Sequence, residues 1–299
     1  MNWETKNITN SLRARFIKNM DIPIQVVKDP YFEYYLSLYD GQYRTMEKWD
    51  EFKVSLNQFQ YEEEYFASEK QFIDTIIGHI SNKHEFCDFV KMDMKKFEGS
   101  SLKKGNVFSE ENVDKTFTSI DLVKANFQSL KYIDGNIVDG KDTYEEFASQ
   151  FTEVSHFISS KKIRQVIFGN LCPQRQQTVQ KHLISVIQGY LLKIGIPSNS
   201  IVASSSDEIV INGDYDKLEL YGVRDIKTRV SRFRLEKLGT DKFSFLVKKD
   251  LTTGEAKIKG VNSAYIPEVL KFQMGIKAID WDRMFYLDGR LCFFQESLF

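Results

Sequence analysis

The chain has 299 residues, 42% hydrophobic and 28% charged, an ordinary globular balance, and its length allows one large domain or two smaller ones. Its 41 Lys and Arg against 42 Asp and Glu leave a net charge of -1, so the overall basic excess of a duplex-binding module is absent and any basic surface must be local. Three scattered cysteines, Cys87, Cys172 and Cys292, exclude a disulfide framework and a zinc-ligand spacing. The polar start at Met1–Thr5 and the lack of any apolar run of membrane-spanning length predict a soluble, cytoplasmic protein with no membrane partner.

Residues 1–105 read as a mainly helical N-terminal region. Thr9 to Asn19 is a basic amphipathic stretch with Leu12, Phe16 and Ile17 on one face. Pro23 and Asp29-Pro30 interrupt it, and helical spacing resumes over Tyr31–Tyr39 and Lys70–Lys96. This region is also a candidate surface for a protein partner. The glycine- and serine-bearing segment Glu98–Asn106 reads as a loop or domain edge.

Residues 106–299 change character. A strand is expected over 117–122, helix over Asp142–Ser159, and a long helix from Pro173, a residue suited to a first helical position, to Lys193. Residues 201–211 read as a hairpin with its turn on Ser204-Ser205-Ser206. Alternating runs at 233–238, 243–248 and 256–261 predict further strands, and Pro267 opens a short helix to Met274.

Two acidic positions stand out because each carboxylate sits against apolar strand residues, where an unpaired charge is costly. Asp121 follows Phe117–Ile120, and Asp207-Glu208 precede Ile209-Val210-Ile211. Asp121 as a helix cap and Asp207 as a solvated turn are the plainer alternatives. Strand alternation lets only one of Asp207 and Glu208 face a cleft, and Asp207 is the choice. Between the acids, Arg164 to Lys181 is basic and amide-rich, with Gln174, Thr178 and Lys181 at helical spacing and Arg175 near that face. A solvated amphipathic helix is the competing reading.

The order acid, basic helix, acidic hairpin resembles the motifs of palm-domain nucleic acid polymerases. Asp121-Leu122 with Asn126-Phe127 resembles motif A, Arg164–Lys181 resembles the motif B fingers helix, and Ser206-Asp207-Glu208-Ile209-Val210 resembles motif C of DNA polymerase families A and B. Ser205 stands where family B carries the first Asp of motif C. Downstream, Phe245–Lys249 and Lys257–Val261 resemble the family B lysine-rich region that supports the primer-template.

The resemblance implies an α+β fold: a polymerase-like palm with an antiparallel sheet and packed helices, preceded by the helical N-terminal region. It implies a template-dependent nucleotidyltransferase with Asp121 and Asp207, and with them Glu208, as catalytic acids. Asp121, Leu122 and Asp207 become metal-binding positions for Mg2+ or Mn2+. Asn126, Phe127, Arg164, Arg175 and Lys181 become nucleotide contacts, and Lys248, Lys249, Lys257 and Lys259 contacts to nucleic acid. The implied partners are a primer-template and nucleoside triphosphates. A non-catalytic palm-like nucleic-acid-binding subunit and a metal-dependent nuclease are the alternatives.

Overall fold

The computed structural model describes residues 8–97, 105–220, 223 and 225–299. Most of the expected 98–106 loop and the start of the chain lie outside these residues. The described chain is a mixture of helices and antiparallel sheet.

Five helices come first: α1 (Asn10–Met20), α2 (Tyr31–Tyr43), α3 (Thr45–Leu56), α4 (Glu62–Ser81) and α5 (His84–Lys91). Thr9 caps α1 by accepting from the Leu12 N–H, and Leu12, Phe16 and Ile17 are buried along its inner face. The single helical stretch expected over 70–96 is instead α4, α5 and a 3-10 turn at Met94–Phe97. The chain bends at Asn82-Lys83, where the Asn82 N–H closes on the Gly78 carbonyl.

The sheet begins with β1 (Thr116–Leu122). After it come α6 (Ala125–Ile133), α7 (Tyr144–Ala148), α8 (Ser155–Ser159), α9 (Lys161–Gly169) and α10 (Pro173–Lys193). The helix expected over 142–159 is thus two short pieces. The basic 164–181 segment is divided by the turn at Asn170–Cys172, with Cys172 in the left-handed region and Pro173 opening α10. The hairpin β2 (Ile201–Ser204) and β3 (Glu208–Asn212) follows, then β4 (Thr228–Gly239), β5 (Ser244–Asp250), β6 (Ala256–Lys259) and α11 (Ile266–Gln273). A separate hairpin, β7 (Met284–Leu287) and β8 (Arg290–Phe293), closes the described chain.

Strand order is β2-β3-β1-β4-β5-β6, every pair antiparallel. Period-two alternation gives this sheet two unlike faces. Ile120, Leu122, Ile209 and Ile211 join the main core, which extends through Phe127, Leu130, Leu183 and Ile187 and on into the N-terminal helices through Phe16, Phe52 and Tyr65. On the other face, Phe117, Val210, Phe233 and Leu235 form a small cluster covered by Val107 and Phe108. Beyond that cover, the same face carries Asp121, Glu208 and Arg229 at mutually paired register positions.

Candidate active site

The site forms where β1 ends. Val123 N–H donates to the Lys227 carbonyl (3.0 Å), after which Lys124 turns into the left-handed region and opens α6. Gln128 on the first turn of α6 fastens this corner: its amide donates to the Val123 carbonyl (2.6 Å) and to the Lys227 carbonyl, and accepts from the Lys227 N–H (2.8 Å). The end of β1 is thereby locked to the start of β4, so Asp121 and Arg229 stand opposite each other.

The β2–β3 hairpin supplies the other acids. Its tight loop is closed by the Ser205 N–H on the Glu208 carbonyl (2.8 Å), which places the turn one residue later than expected. Ser205 organises it: its hydroxyl donates to Asp207 Oδ1 (2.9 Å) and accepts from the N–H groups of Asp207 (3.3 Å) and Glu208 (3.1 Å). A serine at this position thus shapes the loop that carries the acids. The Leu122 N–H donates to the Asp207 carbonyl (2.8 Å), tying the hairpin to β1.

Asp207 therefore lies in the turn rather than on the strand, and alternation does not set it against Glu208. Glu208 begins β3 directly across from Asp121 and accepts from the Ser119 hydroxyl (2.6 Å). Three carboxylates share one corner of the sheet. Burial pushes the Asp121 carboxyl above the ordinary aspartate range; the Arg229 guanidinium pulls it down, and Glu208 and Asp207 add to the rise.

Asp121, Leu122, Asn126, Arg164 and Asp207 line one cavity of about 520 Å³, together with Lys124, Lys161, Gln180 and Arg229. The acids hold one wall. Arg164 brings a cation to the others, beside Lys124, which is paired with Glu145, and Lys161, which is paired with Asp21 (2.6 Å). Ser160 caps α9 by accepting from the Ile163 N–H (3.1 Å), which puts Lys161 and Arg164 in the helix's first turn. The Lys124 ammonium and the Arg164 guanidinium both sit over the ring of buried Tyr144, 5.8 and 5.6 Å from its centre. Burial lowers the pKa of both groups, and their mutual repulsion lowers that of Lys124 further. Gln180 on α10 donates to Asn126 Oδ1 (2.5 Å), joining the start of α6 to the middle of α10.

Three expected nucleotide contacts fall elsewhere. Phe127 is 2% exposed and packs edge-on against Tyr144 and Phe168, so it is a core residue beneath the cavity. Arg175 turns away to α5, where its guanidinium donates to the carbonyls of Phe89 (3.1 Å) and Met92 and lies over the Phe89 ring. The Phe89 carbonyl, which also accepts from the Met92 N–H (3.3 Å), and the Met92 carbonyl lie at the C-terminal end of α5, where the helix dipole favours a cation. Lys181 is exposed on α10 and does not line the cavity; its neighbour Gln180 does.

The lysines of the last strands divide by strand alternation. Lys248 faces Lys257 across the β5–β6 pair on the same face as Asp121 and Glu208, and its Nζ lies 4.2 Å from the centre of the Phe233 ring. Lys259 shares that face, over the Phe108 ring. Burial lowers the pKa of both Lys248 and Lys259. Lys249 points to the opposite face, 3.7 Å from Glu236, so it does not belong with the other three.

Sequence reading missed Lys124, Lys161, Gln180 and Arg229. Lys124 carried one signal, a lysine three residues after the strand-end Asp. Gln180 lay within the amide-rich Arg164–Lys181 segment, while Lys161 and Arg229 are brought in by tertiary pairing that nothing local marks.

Among the described residues, no group of three or more His, Cys, Asp or Glu side chains is arranged to hold a metal ion. The donor chemistry nevertheless fits magnesium or manganese. Mg2+ is commonly bound by one or two carboxylates, the remaining positions going to water and substrate phosphates, and Asp121 and Asp207 are two hard oxygen donors on one cavity. No helix among the described residues is long and apolar enough to cross a membrane. No family model matches the sequence, no curated protein matches it, and no solved structure matches the fold.

Proposed function

We propose that this protein is a template-dependent nucleotidyltransferase, a compact DNA polymerase-like enzyme built on a palm-like sheet. One observation carries the reading: the carboxylates of Asp121 and Asp207 meet the cations Lys124, Lys161 and Arg164 across a single cavity. Phosphoryl transfer to a nucleoside triphosphate asks for that division of charge, with acids to hold divalent cations and bases to hold the polyphosphate.

Asp121 and Asp207 would hold Mg2+ or Mn2+, with the Leu122 main chain beside them. Ions held there would supply Lewis acidity toward a primer 3′-hydroxyl and charge neutralisation at the phosphates. The protein's own groups do the positioning. Arg164 and Lys124, braced on Tyr144, grip the triphosphate from one side, with Lys161 behind them. The Asn126–Gln180 amide pair lies where the sugar of an incoming nucleotide would rest. Lys248, Lys257 and Lys259 extend the acidic corner into a basic strip along the open sheet face, suited to a template or primer backbone.

The test is extension of a labelled primer on DNA and RNA templates with Mg2+ or Mn2+, by the wild type and by Asp121→Asn and Asp207→Asn. Metal-dependent extension by the wild type, abolished in both variants with their folding intact, is the expected result. Incorporation by both variants at the wild-type rate would remove the assignment. Shortening of the substrate would point to the nuclease alternative, and binding without incorporation to a non-catalytic subunit.

A further inference from the structure

Arg229 has no place in the scheme above, yet it makes the closest contact to the principal acid. Its Nη2 lies 2.5 Å from Asp121 Oδ2. Three features define the contact. It is single, one nitrogen to one oxygen, where a guanidinium can grip a carboxylate with two. The Arg229 side chain is 71% exposed while that of Asp121 is 29% exposed, so the arginine reaches in from solvent to a carboxylate that is largely enclosed. The carboxylate it reaches has two acidic neighbours, Glu208 across the strand pair and Asp207 in the hairpin loop.

A corner with three carboxylates needs a countercharge. Ser119 hydrogen-bonds Glu208 and Ser205 hydrogen-bonds Asp207, but a hydroxyl carries no charge. Lys248 faces the group from two strands away, with its ammonium placed over the Phe233 ring. Among the described residues, Arg229 is the cation in direct contact with Asp121.

We propose that Arg229 is a positioning residue that acts as a displaceable counter-ion, holding the Asp121 carboxylate in place until a divalent cation takes it over. The inference rests on the metal-binding reading of Asp121 and Asp207. A single bond to an arginine that reaches in from solvent is weak enough to be released. The fixed register of Asp121 against Arg229 means that the guanidinium stays at the rim of the same cavity when it lets go. Metal loading at this site is therefore a competition, and Arg229 sets its threshold.

The experiment measures Mn2+ alone binding to the full chain at low ionic strength, by the electron paramagnetic resonance of free Mn2+. The proteins are the wild type, Arg229→Gln, Arg229→Lys, Asp121→Asn and Asp207→Asn, each checked for folding by circular dichroism. Removing the competing arginine should tighten Mn2+ binding about threefold to fivefold in Arg229→Gln. Arg229→Lys, which keeps the charge on a differently shaped side chain, should fall between. Asp121→Asn should abolish the site. Equal or weaker Mn2+ binding in Arg229→Gln, with Asp121→Asn still abolishing it, would overturn the counter-ion role and leave the catalytic reading standing. Unchanged Mn2+ binding in both Asp variants would overturn the metal site, and this inference with it.

Discussion

Arg164 and Arg175 show how much a single residue's surroundings decide. Both lie in one basic segment and both suit a phosphate, yet only Arg164 lines the cavity. Arg175 is occupied by the carbonyls that end α5. The two substitutions should therefore separate binding from stability. Arg175→Ala leaves those carbonyls without their charged donor and should lower stability by about 1–3 kcal/mol, read as a shift in the urea midpoint, with the nucleotide KM unchanged. Arg164→Ala removes a charge-assisted contact to the triphosphate and should raise the nucleotide KM about tenfold or more. If Arg175→Ala raised the KM as strongly as Arg164→Ala, the cavity would have been assigned to the wrong arginine.

At the scale of the element, alternation along β5 makes a second separation. Lys248 shares the open face with Glu208 and Asp121, and Lys249 pairs with Glu236 on the other. In a filter-binding titration of a primer-template, Lys248→Ala should weaken affinity and flatten the salt dependence by about one unit of slope; Lys249→Ala should change neither. This division follows from period two and was within reach of the sequence, since adjacent lysines on a strand cannot share a face. Other parts were legible for the same kind of reason. The apolar pattern marked β1, and Pro173 marked the start of α10. Local pattern failed where tertiary pairing decides. Nothing near Arg229 states that β4 will lie beside β1, and nothing near Gln180 states that α10 will reach Asn126. The motif A resemblance implies a nucleotide contact at Phe127, while the turn of α6 sends it into the core.

On the scale of the whole molecule, the N-terminal helices and the site are mechanically joined. The α9 helix that carries Lys161 and Arg164 is anchored to the end of α1: the Ser160 hydroxyl donates to the Asn19 carbonyl (3.1 Å), and Lys161 pairs with Asp21 (2.6 Å). The Asn19 amide lies in a buried cluster, donating to Glu69 Oε1 (3.2 Å) and approaching Tyr65 Oη (3.4 Å) and His156 Nε2 (3.3 Å). His156 is 3% exposed, and burial lowers its pKa from 6.5 to about 3. It is thus neutral in the folded protein throughout the ordinary pH range and accepts from Asn19. The unfolded chain binds a proton at this residue below about 6.5, and the folded chain does not, so stability falls as pH drops through 6.5. One unit below that value, at pH 5.5, the loss is about 1.4 kcal/mol. Glu69 works the other way: burial raises its pKa, so it favours the folded state as pH falls. Comparison with His156→Gln isolates the histidine, because Glu69 remains in both proteins. Urea unfolding at pH 8 and pH 5.5 should show the wild type losing about 1.4 kcal/mol more than the variant over that interval. Parallel losses would mean that His156 takes up a proton in the folded state, and the joint between α1 and α9 would then be open to water rather than sealed.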